Sequence, residues 1–172
     1  MTFLDTGILV GALLEKHPEH AACLEALEKS EAPFTDAHAL AETFATLTGF
    51  YKVPVAAATE LTLSLKSTLA VKSLPLTDYE QAIAEAQRGG VMGGGIYDSL
   101  HATFARRMGA KRIVTRNPSH FVHNVSVVPS ALHRHLHWQL HSGHIGGIYD
   151  RYAIRLPYEP ISRCEPAASW PG

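Results

Sequence analysis

Short apolar segments alternate along this chain with longer segments that have helical periodicity. Five of the short segments are predicted strands, at residues 2–5, 33–35, 73–76, 112–115 and 125–128. Between them, apolar side chains recur at steps of three and four residues, which is typical of amphipathic or buried helices. This alternation predicts an α/β fold, with a central parallel sheet of about five strands and helices on both of its faces.

Polar side chains follow two of these predicted strands directly. Asp5 comes at the end of the first strand, and Asn117 follows the fourth. The carboxyl ends of parallel strands meet at one edge of a sheet, where open α/β folds bind their ligands. Two further acids are candidates for this edge: Glu42 in an otherwise apolar helix, and Asp98 at the start of a helix after a glycine run.

Carboxylates gathered at one sheet edge would repel one another and raise each other's pKa. A hard divalent cation removes this repulsion, and oxygen ligands favour Mg²⁺ or Mn²⁺. Asp5, Glu42, Asp98 and Asn117 are therefore the predicted metal ligands, for one or two ions with bound waters. Metals held in this way orient and deprotonate water, so the predicted chemistry is hydrolysis of a phosphodiester.

Each of these residues also has a plainer structural interpretation, which the sequence leaves open. Asp5 could cap the following helix, Glu42 could face solvent, and Asp98 could stabilise the amino end of its own helix. Asn117 could belong to an ordinary turn. A phosphomonoesterase that forms an aspartyl-phosphate is disfavoured, because Gly7 stands where that loop would need a second acid.

Charge is distributed unevenly between the two parts of the chain. Residues 1–98 hold thirteen Asp or Glu and six Lys or Arg, whereas residues 99–149 hold six Lys or Arg and no acid. Five of these cations lie between residues 106 and 116. They could form a rim that attracts an anionic polymer, or simply the solvated face of a helix.

The location of the protein is predicted from what the sequence lacks. No stretch approaches 18 uninterrupted apolar residues, and the amino terminus lacks the basic and apolar regions of a secretory signal. Cys23 and Cys164 lie in unlike contexts and form neither a disulfide framework nor a zinc motif. We therefore expect a cytoplasmic protein without a membrane span.

Four motifs, in this order, resemble those of the PIN-domain family, and within it the VapC-type toxin ribonucleases. The resemblance covers roughly residues 1–130, and its motifs are Leu4-Asp5-Thr6, residues 39–48 around Glu42, residues 97–102 around Asp98, and residues 113–121 around Asn117. It implies a three-layer α/β/α fold and an acidic pocket with Mg²⁺ or Mn²⁺. It also implies endonucleolytic cleavage of RNA, a homodimer and, for a toxin of a type II toxin–antitoxin system, a small antitoxin partner.

The resemblance also implies roles for individual residues. Asp5, Glu42 and Asp98 match the three principal acids, and Thr6 matches a hydroxyl that often lines the metal pocket. Asn117 occupies a position that is aspartate in many relatives, which leaves open whether a second ion binds.

Four more residues are candidates around this pocket. Thr115 is expected to steady it by hydrogen bonding, and Arg116 and Arg112 are weaker candidates for contact with substrate phosphate. His101, three residues after Asp98, could be a partner of the metal ligands, a proton shuttle or a packing residue.

Two domain-level expectations complete the prediction. Residues 1–130 form the nuclease domain, and residues 131–172 form a histidine-rich, proline-containing extension that serves in dimer contacts or is frayed.

The leading function is a divalent-metal-dependent endoribonuclease, the toxin of a toxin–antitoxin pair. The alternative is a degenerate PIN domain that binds RNA or a protein partner without catalysis, for which Asn117 is the only support.

Overall fold

The computed structural model describes residues 1–121 and 127–129, and the predicted extension at 131–172 lies outside the described residues. Six helices, two short 3-10 turns and five strands follow one another along this part of the chain. In order, they are β1 (Thr2–Leu4), α1 (Thr6–Leu13), α2 (His20–Lys29), β2 (Pro33–Asp36), α3 (Ala37–Gly49), α4 (Val55–Ser64), the turn Leu65–Ser67, β3 (Ala70–Lys72), α5 (Leu76–Gly89), α6 (Gly95–Arg107), β4 (Arg112–Thr115), the turn Pro118–Phe121 and β5 (Val127–Pro129).

The strands form one parallel sheet in the order β3-β2-β1-β4-β5. β1 lies in the middle, with β2 on one side and β4 on the other. Thr2 pairs in register with Arg112, and Leu4 pairs with Val114. The strand order reverses direction at β1, so the crevice beyond the carboxyl ends of β1 and β4 is the expected ligand site of such a sheet.

Successive residues of β1 pack into opposite layers, because side chains alternate between the two faces of a strand. Phe3 joins a cluster of aromatic rings with Phe34 of β2 and Phe104 of α6. Leu4 packs on the other face, in a cluster built largely from α1, α2 and Ala39 of α3. The side chains are 0–1% exposed at Phe3, Leu4, Phe34 and Phe104, so the sheet is buried on both faces.

The predicted α/β fold with a parallel sheet and helices on both faces is therefore confirmed. The third strand is shifted: it was expected at 73–76 and lies at Ala70–Lys72. Pro75 instead precedes α5 as its N-terminal cap residue, in extended conformation, and Leu76 already belongs to that helix. None of the described helices is long and apolar enough to cross a membrane.

Candidate active site

Asp5 and Thr115 meet where the two central strands end. The backbone N–H of Asp5 donates to the carbonyl of Val114, which extends the pairing of β1 with β4 by one residue. The hydroxyl of Thr115 then donates to the Asp5 carboxylate at 2.7 Å. Asp5 is the N-cap residue of α1, but its side chain makes no capping hydrogen bond. Helix capping therefore does not account for this carboxylate.

Asp5 is a buried acid in an unfavourable electrostatic setting. Only 6% of the residue is exposed, and this burial raises the pKa of its carboxyl group. The charge of His101 and the hydrogen bond from Thr115 lower the pKa without cancelling the rise, to which the negative charge of Asp98 adds. Asp98, half-buried in the first turn of α6, therefore lies close enough to act on Asp5. A bound cation would reduce the repulsion between two neighbouring carboxylates of this kind.

Glu42 points toward the start of α1 rather than into open solvent. Its Oε2 atom accepts a hydrogen bond from the Thr6 hydroxyl at 2.8 Å and another from Nε2 of His101 at 2.8 Å. Burial would raise the pKa of Glu42, but these two partners outweigh it and lower the pKa. Glu42 is thus ionised and held in place, with one oxygen already committed to two donors.

His101 is bound between two carboxylates. Nδ1 of its ring lies 2.7 Å from Oδ2 of Asp36, and Nε2 faces Glu42 on the other side. Burial alone would lower the pKa of His101, but the two carboxylates raise it to about 10. At neutral pH the ring is an imidazolium that donates from both nitrogens. The second oxygen of Asp36 accepts from the backbone N–H of Ala39 at 2.8 Å and so caps α3.

Asp36 is the residue that sequence reasoning missed as part of the site. Its position directly before α3 is that of a helix cap, and it does cap that helix. A signal was present, because Asp36 ends β2 in the same way that Asp5 ends β1. His101 was one of the candidates, and the structure gives it hydrogen bonds to two carboxylates that the sequence spacing alone did not indicate.

Asn117 lies just beyond β4, with an exposed side chain. Its backbone N–H donates to the Thr115 hydroxyl oxygen at 3.0 Å. That oxygen therefore accepts from Asn117 and donates to Asp5, which fixes the direction of its hydrogen. The structure connects Asn117 to the pocket through its backbone, and leaves its role as a metal ligand a prediction.

The two candidate phosphate contacts are placed differently. The guanidinium of Arg116 forms a short ion pair with Glu19, which precedes α2. Its alkyl stem covers the backbone of Gly7 at the start of α1. Arg112 begins β4, about 10 Å along the strand from Thr115. It therefore lies at the amino ends of the strands, opposite to the pocket. The structure does not bring Arg112 to the pocket.

The rest of the basic stretch is partly neutralised as well. Arg107 binds the buried carboxylate of Asp78 at 2.7 Å, and Arg106 lies 3.4 Å from Glu85. Both pairs join α6 to α5, on the sheet face opposite to α1. These arginines thus stabilise helix packing, and they are less available to an anionic polymer than their number in the sequence suggests.

The residues present fit a hard cation by their chemistry. Among the described residues, no three His, Cys, Asp or Glu side chains already stand as a closed metal-ligating group. Mg²⁺, however, keeps several waters and binds proteins through one or two carboxylates. Asp5 and Asp98 supply such a pair, and Glu42 is hydrogen-bonded to Thr6, the residue that follows Asp5.

Comparison with known proteins agrees with this architecture. The family model described as PIN domain matches residues 2–123, so the chain belongs to the PIN-domain family. A comparison with curated protein sequences gives no significant match.

Solved structures of toxin proteins have a similar fold. The chain is similar to the sarcin–ricin-loop-cleaving toxin VapC20 of Mycobacterium tuberculosis, with 18% identity, a TM-score of 0.58 and coverage of 66% of this chain and 87% of that one. It is also similar to a toxin–antitoxin complex from Klebsiella pneumoniae, with 17% identity and a TM-score of 0.58, over 76% of this chain and 98% of that one. The similarity to VapBC2 from Rickettsia felis, bound to a DNA fragment from its promoter, has 23% identity and a TM-score of 0.55, over 74% of this chain and 96% of that one. At these identities the likeness is one of fold.

Proposed function

We propose that this protein is a divalent-metal-dependent endoribonuclease that hydrolyses phosphodiester bonds of RNA. The observation that carries the proposal is the buried Asp5 carboxylate at the carboxyl end of β1, whose pKa is raised by burial and, to a smaller extent, by the charge of Asp98. Membership of the PIN-domain family supports the same chemistry, since its nucleases use divalent metals. The proposed cofactor is Mg²⁺ or Mn²⁺.

The residues of the pocket have distinct proposed roles. Asp5 and Asp98 hold the metal, with Thr115 fixing the Asp5 carboxylate through its hydroxyl. Thr6 and His101 hold Oε2 of Glu42, so Oε1 would be the oxygen that accepts a hydrogen bond from water. When bound, the cation supplies the activation of water and the stabilisation of charge on the phosphate. A second ion would require the amide of Asn117, so one ion is the simpler proposal.

The proposed biological role is that of a toxin in a type II toxin–antitoxin system. Three of the similar structures are a toxin, a toxin–antitoxin complex and VapBC2. A small antitoxin partner, a homodimer and a cytoplasmic location belong to the same proposal. A short reading frame beside the gene, whose product copurifies with this chain, would support it.

The test of the nuclease proposal is cleavage of a mixed RNA substrate. We expect cleavage with Mg²⁺ or Mn²⁺, none with EDTA, and a loss of at least about 100-fold in Asp98→Asn because a ligand and its charge are removed. Glu60→Gln removes an exposed carboxylate on α4 and serves as the matched control. Equal cleavage by all preparations, with and without EDTA, would overturn the proposal.

The second candidate function is a PIN domain that binds RNA or a protein without cleaving it. Asn117 in place of an acid favours it, and so does the commitment of one Glu42 oxygen to Thr6 and His101. A binding module should retain its RNA affinity in EDTA and leave the RNA intact in Mn²⁺. The cleavage assay therefore separates the two candidates.

A further inference from the structure

Three aromatic rings form a layered wall beside the carboxylate pocket. The ring of His38 on α3 lies against Tyr97 on α6, with 4.9 Å between centroids and an interplanar angle of 34°. Tyr79 on α5 meets the same histidine edge-on, at 6.4 Å and 80°. On the pocket side, Nε2 of His38 lies 4.0 Å from Oε1 of Glu42. One histidine thus connects the aromatic wall to a proposed catalytic carboxylate.

The outermost ring of this wall is accessible to solvent. Tyr97 is 45% exposed, although it already stacks against His38. The core aromatic residues Phe3, Phe34 and Phe104 are by contrast almost fully buried. Packing therefore accounts for those rings but not for the exposed part of Tyr97. Tyr97 contacts His38, and Nε2 of His38 lies 4.0 Å from Oε1 of Glu42, so the ring of Tyr97 lies at the edge of the pocket.

The charges around the pocket favour recognition through rings rather than through phosphates alone. Arg116, which follows Thr115, is paired with Glu19. With this guanidinium group engaged, stacking is a remaining source of affinity close to the carboxylates. Unpaired bases have an apolar face that stacks on tyrosine or histidine rings largely independently of sequence.

We propose that Tyr97, supported from behind by His38, is a stacking subsite for a nucleobase of single-stranded RNA next to the carboxylate pocket. The inference rests on the proposed nuclease function and assigns to Tyr97 the role of holding one base of the RNA. A base on the outer face of Tyr97 continues the stack of Tyr97 on His38. Bases within a duplex are already stacked on their neighbours, so the subsite selects loops and single strands.

The test compares two synthetic RNAs in binding to the full chain. One is a fluorescein-labelled single-stranded 12-mer, and the other has the same length and phosphates but abasic sugars throughout. Fluorescence anisotropy is measured in Ca²⁺, a hard cation with oxygen ligands that replaces Mg²⁺ during binding. We expect the wild type to prefer the normal RNA by about 5- to 100-fold, the range of base stacking on one aromatic side chain.

Three variants make this test specific for the ring. Tyr97→Ala should lose the preference and bind both RNAs alike, whereas Tyr97→Phe should keep it within about twofold. Phe50→Ala is the matched control, because Phe50 is 77% exposed and lies about 12 Å along α3 from Glu42. Its binding should equal that of the wild type.

The outcomes separate this inference from the nuclease proposal. A wild type that binds both RNAs equally, or binds neither, overturns the stacking subsite. So does a Tyr97→Ala variant that still prefers the normal RNA. If the wild type cleaves RNA in Mn²⁺ but shows no preference, only the subsite fails. If it prefers normal RNA but cleaves nothing, the subsite stands and the nuclease proposal fails.

Discussion

His101 donates a 2.8 Å hydrogen bond to Oε2 of Glu42. The histidine is buried and takes its other partner, Asp36, from the end of β2, so a proposed catalytic carboxylate on α3 is anchored to the sheet through a ring on α6. We infer that His101 acts as a positioning residue: it sets the direction of Glu42, and it need not touch the substrate.

Replacing His101 should therefore impair cleavage through Glu42. We expect His101→Gln to lower RNA cleavage by about 10- to 100-fold, which is the usual cost of losing a group that orients a metal ligand. His20→Gln is the control, because the His20 ring bonds a backbone carbonyl in α1, away from the pocket. Initial rates over a Mn²⁺ titration are the measurement. An unchanged rate and an unchanged Mn²⁺ dependence would show that His101 only fills space.

Asp5→Asn should lower the cleavage activity and raise the stability of the metal-free protein. Burial and the charge of Asp98 disfavour the ionised Asp5, so a neutral amide should stabilise the metal-free protein by about 1 kcal/mol. Thermal unfolding in EDTA should thus show a higher Tm than for the wild type. Mg²⁺ should raise the Tm of the wild type by binding the native state, and should not raise that of the variant. A lower Tm in EDTA would contradict the electrostatic account.

The free energy of unfolding should depend on pH through His101. Its pKa is 6.5 for the ordinary side chain and about 10 in the folded protein. The folded state holds this proton more tightly, so the stabilisation is complete below about pH 6.5 and is lost as the pH rises toward 10. The slope within that window is at most about 1.4 kcal/mol per pH unit. Urea unfolding in EDTA should show this decline for the wild type and not for His101→Gln. Parallel curves would refute it.

Glu19 should restrain Arg116 from binding RNA. We expect Glu19→Gln to release the guanidinium, strengthen RNA binding and increase the slope of log affinity against log salt by about 0.7, the value for one more contact with a single strand. Anisotropy titrations at several salt concentrations measure both quantities. Adding Arg116→Gln to the variant should remove the gain. If the double variant keeps the gain, another cation is responsible.

The sheet and its acids could be predicted because strand ends are local features of the sequence. The bounds of β4 agree with the prediction, since Ile113 and Val114 are buried on opposite faces and give a clear apolar signal. β3 was misplaced because it is a short edge strand in which none of the three residues is fully buried, so its apolar pattern is weak. Leu74 and Leu76, on either side of Pro75, gave a stronger apolar signal nearby.

The partners within the site could not be predicted in the same way. The contact of His101 with Asp36 joins residues 65 positions apart, and it depends on how α6 crosses the end of β2. The pairing of Arg116 with Glu19 likewise depends on how α2 lies against the end of β4. Sequence spacing carries no information about such crossings. The acids of the site could therefore be predicted, but the side chains that hold them in place could not.

The register of β1 against β4 also determines which parts of the gene can change in length. Asp5 and Thr115 meet because Leu4 pairs with Val114, and a shift of one residue would turn either side chain to the opposite face of the sheet. A single-codon insertion in either strand should therefore abolish the pocket. Insertions between α5 and α6, in the mostly exposed stretch 90–94, leave this pairing untouched and should be tolerated by the fold.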